Sequence, residues 1–257
     1  MTDLSGKFGL IVGVANKRSI AWAIAQAAAA SGARLALTYQ GARLEENVRE
    51  LAAGLNDPLL LPLDVTSDQQ IADVFTALGK EFGGLDFAVH GAAFAPREAI
   101  SAPFLQTTRD AFAISLDISA YSLIALARGA APLMERRGGG SIVTLTYLGS
   151  QRVFTNYNVM GVAKAALEAT VRYLASELGA LNIRVNAISA GPIKTLAASG
   201  ISGFTSILQH YRDRAPLKRT IDASEVADAA MFLIGPAGRA ITAEVLMVDA
   251  GYHAIGI

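Results

Sequence analysis

The sequence predicts an α/β fold, one doubly wound parallel sheet of about seven strands with helices on both faces. Three observations carry this. Short apolar runs recur along all 257 residues, each is followed by a stretch with helical spacing, and the runs are apolar at consecutive rather than alternate positions. A strand that is apolar on both faces has to be covered on both, which is the habit of parallel sheets joined by helical crossovers. The runs are FGLIVG at 8 to 13, ARLALTY at 33 to 39, LLLPLD at 59 to 64, LDFAVHG at 85 to 91, SIVTLT at 141 to 146, IRVNAIS at 183 to 189 and EVLMVD at 244 to 249. One continuous alternation makes one domain over 1–257, a length that α/β folds reach as a unit. Right-handed crossovers then direct ligands beyond the carboxyl ends of the strands.

Two connections break the rhythm. AAFAPREAISAPF at 92 to 104 reads as a long irregular link after the fourth strand, and 190 to 218 holds a Gly-Pro turn followed by a weakly charged apolar segment. Loops of more than about 12 residues in a compact domain are usually lids or binding loops. Both leave the end of the sheet where a ligand would sit. ERRGGGS at 135 to 141 reads as a cationic last helical turn with a glycine stop.

Composition removes several classes of function. Lys and Arg number 22 against 22 Asp and Glu, with 52% hydrophobic residues, so the chain is neither disordered nor basic enough to bind nucleic acid through its phosphates. It has no cysteine, which excludes disulfides, thiol catalysis and Cys-based zinc sites and suits a cytoplasmic location. His90, His210 and His253 are scattered, so no metal site is expected. The most apolar run, Ile20 to Ala30, is too short to cross a bilayer, and the N-terminus lacks the pattern of an export signal. No G-x-S-x-G follows any strand, which argues against a serine hydrolase.

The first strand ends at Gly13 and is followed by VANKRSIAWAIAQAAAA, the first βα turn of a nucleotide-binding sheet. Such a turn aims backbone N–H groups and the positive end of a helix at a pyrophosphate. Glycines are sparse here, and Ser19-Ile20-Ala21 stands where the helix begins. Ser19 could cap that helix and bond a phosphate oxygen. After the second strand, Gln40 replaces the acid that grips a ribose 2′-OH, and after the third, Asp64-Val65 stands where an adenine would pass. Asp64 reads equally well as an acceptor for the adenine amino group or as a cap for the helix that starts near Thr66 and Ser67.

A helix over about Thr155 to Leu178 would carry Tyr157, Met160 and Lys164. A spacing of seven puts Tyr157 and Lys164 two turns apart on one face. In a nicotinamide site the ammonium would hold ribose hydroxyls and lower the tyrosine pKa, and the phenol would donate to an oxygen that becomes negative.

With HGAAFAP at 90 to 96, TYLGSQRVFTNYNVMGVAKAALEATVRYLA at 146 to 175 and RVNAISAGPIKTLAASGI at 184 to 201, nearly the whole chain resembles the bacterial enoyl-acyl-carrier-protein reductases, a branch of the short-chain dehydrogenase/reductase superfamily with a Rossmann-type fold. Carbonyl-reducing members of that superfamily carry Tyr four residues before the Lys and Ser seventeen before it, slots held here by Met160 and Tyr147. The resemblance implies reduction of a trans-2-enoyl thioester, with hydride passing to the β-carbon and negative charge appearing on the thioester oxygen. It implies that Tyr157 donates to that oxygen, that Lys164 fixes the ribose and that Tyr147 borders the acyl chain. It places Gly13, Ser19, Ile20, Gln40, Asp64, Val65, Ala92, Ile193, Lys194, Thr195, Leu196 and Ala197 around NAD, with Ala95 beside the substrate. NADH is favoured over NADPH because only Arg43 follows Gln40 closely, too little to hold a 2′-phosphate. The resemblance also implies a substrate-binding lid over about 193–218, a homotetramer, and a partner that is the acyl-carrier-protein-linked enoyl substrate. The lid is neutral through Ser202, Gly203, Thr205 and Ser206, so docking of an acidic carrier is expected at Arg212, Arg214, Lys218 and Arg219. The alternatives are a 3-oxoacyl or other carbonyl reductase on the same fold, and a dinucleotide-binding redox sensor without turnover.

Overall fold

The computed structural model describes residues 2–195 and 203–256. Seven strands, β1 (Phe8–Val12), β2 (Arg34–Tyr39), β3 (Leu59–Pro62), β4 (Phe87–His90), β5 (Gly140–Thr146), β6 (Ile183–Ala190) and β7 (Val245–Val248), form one sheet in the order β3-β2-β1-β4-β5-β6-β7. Every pairing is parallel, as the doubly apolar runs require. The winding reverses between β3 and β4, so β1 and β4 lie side by side with Val12 opposite His90, and a crevice opens beyond their carboxyl ends.

Nine α-helices are described: α1 (Ile20–Ala30), α2 (Gly41–Ala52), α3 (Asp68–Glu81), α4 (Arg97–Ser101), α5 (Arg109–Leu116), α6 (Ser122–Glu135), α7 (Asn158–Leu178), α8 (Phe204–Arg214) and α9 (Ala223–Ile234). Two cores follow from their apolar faces. One lies under α1 and α9, around Trp22, Ile24, Leu35, Leu37 and Val226, and the other lies under α3, α6 and α7, around Leu10, Phe75, Leu123, Met134 and Val171.

Two expectations are corrected. The connection after β4 is not wholly irregular: Pro96 opens the single turn of helix α4, and a 3₁₀ turn follows at Phe104–Gln106. The helix expected from Thr155 begins only at Asn158, because Asn156 takes a φ of 60°, outside the right-handed helical range, and Asn158 at the first helical position still has a φ of 36°. Ile20–Ala30 is a short apolar helix, as expected, and a longer apolar helical run lies elsewhere. Arg109–Glu135, made of α5, a π-helical turn at Asp117–Tyr121 and α6, is long and apolar enough by length and composition alone to cross a membrane. In the fold α6 packs against α3, α7 and the sheet, with Leu123, Leu126, Ala127 and Met134 buried.

Candidate active site

The cofactor end is built where β1 and β4 finish. Gly13 takes φ of +102°, and a Cβ on it would stand 2.5 Å from the carbonyl oxygen of Gly91, so only glycine lets the two strand ends meet. Gly91 N–H in turn donates to Val12 O at 2.9 Å. Ser19 is the N-cap residue of α1 by position, but its hydroxyl does not cap the helix. It accepts instead from the amides of Ala15 and Asn16, both at 3.1 Å, which folds the turn back on itself and leaves the first helical amides uncapped. Uncapped amides at the positive end of a helix, beside a backbone cradle that a Cβ would fill, fit a phosphate.

Gln40 and Asp64, distant in sequence, are brought together at the ends of β2 and β3. Gln40 Nε2 donates to Asp64 Oδ2 at 3.0 Å, and Asp64 Oδ1 accepts from the amide and hydroxyl of Thr66 at 2.9 and 2.7 Å. Those Thr66 bonds hold the Asp64 carboxyl below its usual range, so it stays an acceptor at neutral pH. The helix cap is Ser67, which accepts from Gln70 N–H, and Asp64 makes an Asx turn instead. Val65 and Ala92 are half-buried against the core on that side of the sheet.

At the chemical end Lys164 is buried and donates to Leu145 O at 2.8 Å. Burial pulls its pKa down to about 8, with Glu168 one turn on acting in the opposite direction. Glu168 itself is buried and accepts from the Thr146 hydroxyl at 2.7 Å. Tyr157 is the N-cap residue of α7 rather than a member of the helix. Its ring lies where Gly149 has no side chain, since a Cβ there would reach 2.4 Å from Tyr157 Cδ1. Tyr147 meets it edge to face, with centroids 5.0 Å apart. The Tyr157 hydroxyl makes no hydrogen bond among the described residues.

The expected effect of Lys164 on Tyr157 is not found. Burial, reinforced by Tyr147 and Glu168, pushes the Tyr157 phenol up, and burial likewise pushes Tyr147 up to about 12. The lysine points its ammonium at the Leu145 carbonyl, and the phenol sits among apolar and aromatic groups. Tyr157 is therefore a neutral O–H donor at any working pH.

Beyond β6, Ile193 is half-buried against the core, Lys194 is exposed and Thr195 N–H turns to Ile193 O at 2.8 Å. Leu196 and Ala197 lie outside the described residues, as does the rest of the expected lid segment up to Ser202. The remainder of that segment includes α8, opened by Gly203 in the left-handed region. Of its four expected docking cations, Arg219 is engaged by Glu225 through two bonds, at 2.6 and 2.8 Å, and Lys218 Nζ donates to Asp213 O.

Several residues that sequence reasoning passed over shape this site. His90 is buried between two hydroxyls, with Nδ1 2.7 Å from Thr144 Oγ1 and Nε2 2.8 Å from Ser122 Oγ. Burial, then Lys164, pulls its pKa down to about 3, so the ring is neutral and supplies one donor and one acceptor. Ser122 keeps its short bond to Ile118 O, 2.7 Å against 3.2 Å from Thr144 to His90 O, when Nε2–H donates to Ser122 and Thr144 donates to Nδ1. Ser119, in the π-helical turn, grips both the N–H and the C=O of Phe94 at 3.0 Å. Together these hold the loop carrying Ala92 and Ala95 over the crevice. Nothing in the local sequence distinguishes such a serine from an ordinary helical one.

Residues 13–253 match the family model described as enoyl-(acyl carrier protein) reductase. The chain belongs to the enoyl-[acyl-carrier-protein] reductase family. It is 51% identical over 258 residues to an NADH enoyl-[acyl-carrier-protein] reductase of Bacillus cereus, with all of both chains covered. The solved Bacillus cereus reductase with NADP+ and indole naphthyridinone superimposes with a TM-score of 0.97 at 50% identity, covering 100% of each chain. The Anaplasma phagocytophilum reductase in complex with NAD gives 0.95 at 46% identity, covering 99% of this chain and 96% of that one. The family match favours the enoyl-reducing branch over the carbonyl-reductase alternative, in keeping with Met160 and Tyr147 at the two slots that branch would fill with Tyr and Ser.

Proposed function

We propose that the protein reduces trans-2-enoyl thioesters carried by an acyl carrier protein, using NADH, in the cytoplasm. The observation that carries this reading is the free, neutral Tyr157 phenol seated beside Tyr147 at the carboxyl end of the sheet, with buried Lys164 on the same helix start. A bound reduced nicotinamide supplies the hydride. The chain's own residues do the rest. Gly13 and the uncapped α1 amides at Ile20 and Ala21 cradle the pyrophosphate, with Ser19 holding the turn in shape. Asp64 and Val65 meet the adenine, and Lys164 donates to the ribose hydroxyls. Ile193, Lys194, Thr195, Leu196 and Ala197 pass along the nicotinamide half. Ala92, Ala95 and Tyr147 border the acyl thioester, and Tyr157 O–H donates to the oxygen that becomes negative as hydride reaches the β-carbon. A donor placed where charge develops is usually the largest single catalytic contribution.

NADH is favoured over NADPH on the geometry of Gln40. Its amide is tied to an ionised Asp64, which sets a negative charge at the end of β2 where a 2′-phosphate would otherwise be received. Carrier docking falls to Arg212 and Arg214 at the exposed end of α8, since Arg219 is neutralised by Glu225. Self-association as a homotetramer is supported by the exposed Phe112, Tyr121 and Tyr173 on the neighbouring helical segments α5 to α7.

The deciding measurement is NADH oxidation with crotonyl and acetoacetyl thioesters side by side. Faster turnover of the acetoacetyl compound would reject enoyl reduction, NADH binding without turnover of either would favour the sensor reading, and a preference for NADPH would reject only the choice of cofactor.

A further inference from the structure

Helix α8 is polar over most of its surface and buries only two side chains, Leu208 and Tyr211, which lie three residues apart on one face. Leu208 is an ordinary apolar contact, but Tyr211 is 1% exposed although it carries a hydroxyl. A buried hydroxyl needs a partner, and this one donates to the hydroxyl of Tyr147 at 3.1 Å. Among the described residues it is the one side-chain hydrogen bond that leaves α8 for the catalytic cluster. The ring is seated independently of that bond. It stacks on Tyr252, with centroids 3.7 Å apart and planes 17° from parallel. Tyr252 stands on a stiff turn, because Asp249 is buried and accepts from the amides of Gly251 and His253 and from His253 Nδ1. Arg152 then clamps the carbonyls of His253 and Ile255 at 2.7 Å each.

Four phenols are thus set in a row from the carboxyl-terminal turn to the reacting end: Tyr252 under Tyr211, Tyr211 bonded to Tyr147, Tyr147 edge-on to Tyr157. With Tyr211 as donor, the oxygen of Tyr147 has accepted one bond and its own proton points to no protein acceptor among the described residues. Hydrogen bonds in such a chain strengthen one another. We infer that Tyr211 is a positioning residue: its hydroxyl fixes the orientation of Tyr147 against the acyl thioester and so links correct seating of the lid helix to productive binding of the enoyl substrate. The inference rests on the proposed placement of the thioester between Tyr147 and Tyr157.

The test uses the full-length protein with Tyr211→Phe, which keeps the ring and its stack and removes only the hydroxyl. The expected result is a loss of about 3- to 10-fold in kcat/KM for crotonyl thioester, the usual effect of one neutral hydrogen bond, while the KM for NADH stays unchanged and the Tm falls by no more than about 2 to 4 °C. In a Tyr147→Phe background the same change should alter kcat/KM by less than about twofold, because the bond is already gone. Full activity in Tyr211→Phe beside an impaired Tyr147→Phe would overturn the role of Tyr211 and leave the site reading standing. Equal losses from Tyr211→Phe in both backgrounds would overturn it as well. Wild-type activity in Tyr147→Phe itself would refute the placement of the thioester, and this inference with it.

Discussion

Lys164→Met should make the protein no less stable while it ruins cofactor binding, and the structure allows both effects to be sized. Burial lowers the lysine pKa from 10.5 to about 8, a difference that corresponds to about 3 kcal/mol held against the charged form at neutral pH. Methionine removes that cost and has nearly the same length. Against it, the Leu145 carbonyl loses its donor, worth about 1 to 2 kcal/mol, and Glu168 loses the favourable influence of a nearby cation. The net change is small, roughly 0 to 1 kcal/mol in favour of the variant. The pH dependence carries the same information. In the wild type the unfolded chain binds one more proton than the native one between pH about 8 and 10.5, so stability should rise with pH across that window and the rise should vanish in Lys164→Met. NADH affinity should move the other way. Charge-assisted bonds are worth about 1.5 to 3 kcal/mol each, so losing the ammonium from two ribose hydroxyls should raise the Kd by at least about 100-fold. In the wild type the affinity should already weaken above pH about 8, as the free enzyme's lysine loses its proton. Urea unfolding of the cofactor-free protein and fluorescence titration with NADH measure the two quantities. A variant that binds NADH within a few-fold of wild type but unfolds more than about 2 kcal/mol more easily would show that Lys164 is a structural residue, and the assignment would be wrong.

Three further outcomes are expected. Tyr157→Phe should lower kcat for an enoyl thioester by roughly 100- to 1000-fold with little change in the Kd for NADH, because one oxyanion donor is lost and no described residue hydrogen-bonds its hydroxyl; near wild-type kcat would pass the role to another donor. Gly13→Ala should lose about 1 to 3 kcal/mol of stability in urea and most NADH affinity, since its Cβ would press on the Gly91 carbonyl at a φ of +102°; normal binding would mean the cradle is placed wrongly. Replacing Arg212 and Arg214 with Glu should raise the KM for a carrier-linked enoyl substrate and leave the coenzyme A analogue nearly unchanged, with an effect that fades in high salt; parallel changes on both substrates would remove α8 as the docking surface.

Much of the molecule is determined by the sequence acting locally. Seven short, consecutively apolar runs that alternate with helical segments point to doubly covered strands, and all seven appear in one parallel sheet. Gly13, Lys164 and Tyr157 are legible because each is a residue type that a backbone cradle, a buried cation or the proposed oxyanion donor requires, set beside a recognisable strand or helix. Boundaries were harder: the start of α7 depends on two asparagines with positive φ, a choice made by the loop they pack under, where Asn158 Nδ2 donates to the carbonyls of Ile100 and Ala102. Only the tertiary structure could reverse the expected effect of Lys164 on Tyr157, because a pKa follows burial and the direction in which an ammonium points, and neither is a property of spacing. The same holds for Gln40 with Asp64, for Ser119 with Phe94 and for Tyr211 with Tyr147, pairs separated by 24, 25 and 64 positions. Hydrogen bonds between groups so distant in the sequence exist only after the sheet has brought its carboxyl ends together, so what the site contains is written along the chain, and how its groups are aimed is decided by the packing of the whole.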